Sequence, residues 1–310
     1  MRNSVERPRQ TVVLYTLVLL TILGWSFNFI IGKITLRYIN PYALTSFRIV
    51  LSGILMVPIY FARPRQSHLN RKDLWTFAVL GFWGVVVNRG LFIVGLDYTT
   101  AGHSALIVAT GPVLVLLLAR AHKLEKITRA KIISMAICFI GVAVLVGGEE
   151  LHRHAGTWIG DMIALGGTSG FALYTVLAKK VARQYDTISM NTFCNLAGAI
   201  FLFPMSVREG MRLNWAAVGI VGWLGLAYTV LVSSIAAYLV FFWALSHLPA
   251  SRLAVLTYIE TPLAALLAVM VLGENPSSAL LIGGGLILLG VYLAEFGPGA
   301  EPVPAETAGT

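Results

Sequence analysis

Four ionisable side chains inside the apolar runs of this chain stand out: Arg48, Arg89, His103 and Glu260. A charge at a bilayer centre costs at least about 2.5 kcal/mol, so each needs a function or a partner. Glu260, in Tyr258-Ile259-Glu260-Thr261-Pro262, lies roughly 15 Å into its run at 1.5 Å per helical residue. A carboxylate at that depth can hold a substrate ammonium or pass a proton. Arg89, in Val87-Asn88-Arg89-Gly90, lies about 10 Å from the opposite surface on the same rise. Its guanidinium suits a carboxylate or phosphate bidentately, and pairing with Glu260 or snorkelling to the headgroups is the structural alternative. Arg48 sits nearer a surface and suits an outer gate; His103, at the start of a run, reads as interfacial. A carboxylate near the midplane and a guanidinium further out can grip both ends of a zwitterion, Glu260 taking the ammonium and Arg89 the carboxylate. Trp25, Asn28, Tyr174, Asn195 and Tyr258 are the remaining candidates for the substrate site. Aromatic walls suit an apolar side chain or a cation.

These residues need helices to carry them across a membrane. The chain is 57% hydrophobic and 12% charged, with a mean hydropathy of +0.79. Soluble domains carry about 25% charged residues. Apolar runs near 20 residues recur about ten times, at roughly 12–31, 43–61, 74–96, 104–120, 131–147, 160–179, 188–207, 216–245, 251–271 and 279–296. The expected fold is therefore an all-α integral membrane protein of ten transmembrane helices. The eighth run is long enough for one tilted helix and too short for two. The net charge of +9 does not point to nucleic acid, because the basic residues lie in short loops between the runs. With the N-terminus in the cytoplasm, inner segments exceed outer ones in Lys and Arg by about three to one, which places both termini inside. Residues 1–11 read as a cytoplasmic N-terminal segment, and 297–310, rich in Pro, Gly, Ala and Glu, as a disordered tail. Cys138 and Cys194 sit in apolar runs and read as packing residues.

The two halves echo each other. Trp25 to Lys33 returns as Phe171 to Lys179; Leu106, Pro112, Leu116 and Leu117 return as Leu256, Pro262, Leu266 and Leu267; Glu125 and Gly141-Val142 return as Glu274 and Gly290-Val291. Five spans per copy, 12–147 and 160–296, force the second copy to enter from the opposite side. Inverted repeats of this kind place a substrate at their interface. Pro112 and Pro262 occupy equivalent places in spans four and nine, where a proline frees a backbone carbonyl, and they read with Arg48 as gating or hinge residues.

At these residues the chain resembles the EamA-type family of the drug/metabolite transporter superfamily. The resemblance rests on Gly24-Trp25-Ser26-Phe27-Asn28-Phe29 followed by Asn40-Pro41 and Phe47-Arg48, on Gly111-Pro112-Val113 leading to Leu124-Glu125, and on Ile259-Glu260-Thr261-Pro262 leading to Leu272-Gly273-Glu274 and Leu289-Gly290-Val291. It implies two inverted five-helix repeats around a chamber open alternately to each side, and export of amino acids or other small metabolites across a bacterial inner membrane. Two features depart from the family pattern: Pro262 lies two residues after Glu260 rather than next to it, and Lys123-Leu124-Glu125 lacks the usual glycine. Export of organic cations or drugs is the alternative, with Arg89 structural. An enzyme is not expected, since no His-Glu-x-x-His, Gly-x-Ser-x-Gly or metal-spaced Cys/His group is present. No cofactor and no metal are expected; His152-Arg153-His154 reads as a solvated loop. The partners are a small-molecule substrate, the lipid bilayer and, where Glu260 couples transport to them, protons. Ten helices enclose a chamber in a monomer, so an oligomer is not required.

Overall fold

The computed structural model describes residues 3–62, 70–91, 107–146, 158–182, 184–272 and 278–296. They hold ten helical spans in chain order: α1 Asn3–Thr35, α2 Pro41–Phe61, α3 Asp73–Gly81 continued by a π-helical segment Phe82–Gly90, α4 Gly111–Ala121, α5 Arg129–Val146, α6 Trp158–Val181, α7 Thr187–Arg212, α8 Gly219–His247, α9 in two halves, Ala250–Leu256 and Glu260–Leu272, and α10 Ser278–Phe296. Seven of them are long and apolar enough to cross a membrane: α1, α2 and α6 to α10. The helix α1 starts at Asn3, inside the segment expected to precede the first span, and runs 33 residues. The long eighth run is a single helix with a π-helical turn, Leu231–Ala236, at its centre. His103, the 152–154 loop, Glu274 and the tail lie outside the described residues.

Local signals set several boundaries. Asn40 caps α2 by accepting from Ala43 N at 2.9 Å, and Asp186 caps α7 by accepting from Ile188 N and Ser189 N. Asn and Asp supply the side-chain oxygen that the first free N–H groups of a helix require. The caps are 146 residues apart, as are Pro58 and Pro204 inside the same two helices. The repeat therefore extends to caps and kinks.

Packing obeys the same exchange. The helix α1 lies against α8 and the second half of α9; its mate α6 lies against α3 and α4. The helices α2 and α7 pack on each other, and so do α5 and α10. Across α2 and α7, Gly53 faces Asn195 and Ala199, while Tyr60 meets Phe193 at 5.2 Å between rings. Across α5 and α10, Ser134 and Cys138 face Gly290, while Gly141 and Leu145 face Gly283. Rising numbers in one helix meet falling numbers in the other, so each helix is antiparallel to its own mate. That is the geometry of an inverted duplication.

The α5–α10 seam is backbone against backbone. A Cβ on Gly141 would stand 2.7 Å from Gly283 O, and one on Gly283 2.5 Å from Gly141 O. Small residues permit this approach where lipid tails remove any hydrophobic reason for helices to associate. A Cβ on Gly285, one residue-pair away, would meet nothing within 4 Å. Gly283→Ala should therefore lose about 1–3 kcal/mol of stability by forcing the helices apart, whereas Gly285→Ala should hold or gain through helix propensity. Thermal melting of the two purified variants in detergent checks the contrast.

Candidate functional site

The site is built where two helices break at matched positions. In α9 a 3-10 turn, Thr257–Ile259, separates the halves, and the second half starts at Glu260. In the fourth span, Ala109 and Thr110 form a turn before α4 starts at Gly111. Pro112 and Pro262 lie in the first turns of the helices that follow, where a missing N–H is tolerated. Tyr258 OH, from one break, donates to Ala109 O in the other at 2.5 Å. The two prolines thus start half-helices, and a phenol ties the two breaks together.

The helix α1 threads past these breaks. Ser26 Oγ donates both to Ile22 O at 2.9 Å and to Glu260 O at 3.2 Å. Trp25 Nε1 donates to Ser233 O at 3.2 Å, and Ser233 Oγ donates to Asn28 Oδ1 at 2.9 Å. Ser233 belongs to the π-helical turn of α8, and so does Ser234, which accepts from Arg48 Nε at 2.5 Å. On the other side, Asn88 in the π-helical segment of α3 donates to Gly167 O of α6 at 3.1 Å. π-Helical turns loosen the backbone ladder and recur at functional sites.

The Glu260 carboxylate is half-buried and makes no hydrogen bond or ion pair with any described residue. Trp25, Asn28 and Arg48 are also half-buried. Tyr174, Tyr258 and Asn195 keep only 2%, 3% and 4% of their surface, so in this conformation they offer a substrate no face. The physical reason is packing. Tyr174 is pressed onto Gly84 and meets Tyr238 and Phe242 edge to face, Tyr258 is spent on Ala109, and Asn195 bonds Asn191 one turn earlier. Arg89 has its backbone in the π-helical segment of α3; its side chain is outside the described set. Among the described residues no group of His, Cys, Asp and Glu could hold a metal ion.

One end of the bundle gathers charged contacts that the sequence reading did not single out. Lys179 Nζ donates to Leu245 O and Leu248 O at 2.5 and 2.6 Å, a cation at the C-terminus of α8. Glu125 accepts from Ser251 N at 3.1 Å, from Ser251 Oγ, and from Lys131 at 2.9 Å. Burial alone would raise the Glu125 carboxyl, but these donors hold it below the usual carboxylate range. Arg252 pairs with Glu295, which also accepts from Tyr15. A glutamate in the last turn of an apolar run was the only sequence signal for Glu295.

A family described as the EamA-like transporter family matches residues 13–147 and 158–296. An uncharacterized transporter from Archaeoglobus fulgidus is 28% identical over 284 residues, spanning 90% of this chain and 96% of its own. The uncharacterized transporter YyaM of Bacillus subtilis is 26% identical over 275 residues, 88% of this chain and 89% of its own. A protein of Streptantibioticus cattleyicolor named a probable terminal-alkyne amino-acid exporter is 25% identical over 281 residues, 89% of this chain and 91% of its own. A crystal structure with 21% identity superposes with a TM-score of 0.76, covering 92% of this chain and 98% of that one, and shares the fold.

Two predictions follow from these contacts. Tyr258→Phe should cost about 1 kcal/mol for the lost hydrogen bond, with a larger fall in transport than the stability loss explains; paired melting and flux measurements on the same preparation check it. Glu125→Ala should cost roughly 2 kcal/mol, below the 3–5 of a fully buried pair because Lys131 is partly solvated. Because the Glu125 carboxyl is lowered on folding, its contribution is complete above about pH 5 and is lost as pH falls through the lowered value. The melting difference between wild type and Glu125→Ala should therefore narrow in acid.

Proposed function

The chain belongs to the EamA-like transporter family, and from that premise we propose that it exports amino acids or related small zwitterions by alternating access. It is a multi-pass membrane protein, and we place it in a prokaryotic inner membrane with both termini in the cytoplasm. The two repeats, 12–147 and 160–296, are the moving halves. The observation that supports the reading is the Glu260 carboxylate: it stands at a helix break, half-buried, and no described residue compensates it. An ammonium group arriving with the substrate, or a proton between cycles, supplies that compensation. Arg89, on the loosened segment of α3 that packs on α6, is proposed to take the substrate carboxylate. Trp25 and Asn28 form the wall between them, with Tyr174, Tyr258 and Asn195 behind it, and Pro112, Pro262 and Arg48 act at the hinges and gate. The exporter of Streptantibioticus cattleyicolor supports an amino-acid substrate.

One observation favours a second reading. Trp25 stands edge-on to Tyr238 at 5.5 Å and beside Phe241 at 6.0 Å, an aromatic group that would suit an organic cation. In that case Glu260 and the rings make the site and Arg89 is structural.

Counterflow in reconstituted vesicles separates the two. Glu260→Gln should weaken amino-acid affinity about tenfold or more, the worth of a charged hydrogen bond. Arg89→Ala should weaken carboxylate-bearing substrates and spare their decarboxylated amines. Wild-type affinity in both variants for every accepted substrate would end the clamp, and flux that ignores the substrate carboxylate would favour the cation reading.

A further inference from the structure

Below the helix breaks, α1, α8 and α9 leave a narrow apolar crevice of about 10 Å³. Trp25 and Thr257 stand at its inner end, and Val18, Ile22, Phe241 and Leu253 line it. The two threonines that line it turn their hydroxyls to their own helices, Thr21 to Leu17 O and Thr257 to Ala254 O, so they present methyl groups. The crevice starts at the level of the breaks and runs toward the end where Lys131, Lys179 and Arg252 lie.

One carboxylate binds residues next to that end of the lining. Tyr15 is a turn below Val18 on α1, and Arg252 adjoins Leu253 on α9. Glu295 of α10 holds both: Oε2 accepts from Tyr15 OH at 2.5 Å and from Arg252 Nε at 2.6 Å, with Arg252 Nη2 also at 2.5 Å. The Arg252 guanidinium lies 5.9 Å from the centre of the Tyr15 ring. The neighbouring residue Ser251 is held by the second carboxylate, Glu125. The helix α10, which carries Glu295, is fixed to α5 by the glycine seam. Thus the cluster ties α1 and the first half of α9 to the α5–α10 pair.

The tie is not an optimised structural bond. The Arg252 and Glu295 side chains are 9% and 4% exposed, and a buried ion pair is a poor route to stability. Glu295 Oε1 is buried with no hydrogen-bond partner, a cost that a permanent contact would be expected to avoid.

We propose that the Tyr15–Glu295–Arg252 cluster is the latch of the inner gate, and that the crevice above it is the collapsed inner half of the transport path. Breaking the latch frees α1 and the start of α9 to part along the apolar seam. The proposal rests on alternating access through the chamber, not on the identity of the substrate.

The test uses a membrane-impermeant thiol reagent on Leu253→Cys protein in nanodiscs, which leave both ends accessible. Adding Glu295→Gln should speed labelling of that cysteine about fivefold, the effect of roughly one kcal/mol on a two-state balance. Tyr15→Phe, which keeps the ring, should act in the same direction more weakly. Cys138 and Cys194, both buried and remote from the crevice lining, should stay unlabelled. Unchanged labelling in both variants overturns the latch, and so does labelling of Cys138 or Cys194 in step with Leu253→Cys, which marks the cluster as mere scaffolding. Faster labelling alongside absent amino-acid flux upholds the latch and discards only the substrate reading.

Discussion

A bilayer core offers no water to a backbone, so a spanning helix must satisfy its own N–H and C=O groups. Four helices here do not do so in the regular way. The helices α3 and α8 switch to π-helical geometry, α9 breaks at Thr257–Ile259, and the fourth span turns at Ala109 and Thr110. Three of these stretches receive a side chain from elsewhere in the chain, and the α3 segment sends one out. Trp25 reaches Ser233 O, Ser26 reaches Glu260 O, and Tyr258 reaches Ala109 O, while Asn88 leaves the α3 segment for Gly167 O. Stitching of this kind makes irregular backbone tolerable at membrane depth. It also means that the two copies hold each other's weak points, which couples motion in one to motion in the other.

The scaffold is symmetric and its chemistry is not. The Asn28 position of α1 corresponds to Tyr174 of α6, and the packing partner Ser233 of α8 corresponds to Gly84 of α3. One contact is therefore a hydrogen bond between two polar groups, and its mate is a ring laid on a glycine. The same holds at the breaks. Counting back from the paired prolines, Glu260 corresponds to Thr110, whose hydroxyl is spent on Ile107 O. Duplication gave two equal walls, and substitution left one polar and charged and the other aromatic.

The ten apolar runs, the spacing of the repeat and the paired prolines were legible in the sequence because each depends on one residue's type and position along the chain. Glu260 was legible for the same reason: a carboxylate in an apolar run announces its own cost. What the sequence withheld was direction around each helix axis. Tyr174, Asn195 and Tyr258 look alike on paper to Trp25 and Asn28, yet the first three turn into packed interior. The π-helical turns were hidden, since no residue type demands them. The roles of Lys179, Glu125 and Glu295 depend on partners as far as 280 residues away in sequence, which local pattern cannot supply.

Three glutamates meet three fates in this molecule, and the contrast bears on how transport is powered. Glu125 is surrounded by donors from Ser251 and Lys131, and Glu295 is shared by Arg252 and Tyr15. Both therefore have resident partners, and both sit at the same end of the bundle. Glu260 sits at the break instead, with no partner among the described residues. A resident lysine or arginine beside it would satisfy it permanently and compete with any cation that entered. With no compensating partner among the described residues, its neutralisation in the proposed cycle depends on what the carrier binds. In the proposed cycle, the desolvation cost that forbids stray charges in a membrane would supply a difference in free energy between the filled and empty carrier, the quantity a conformational change needs.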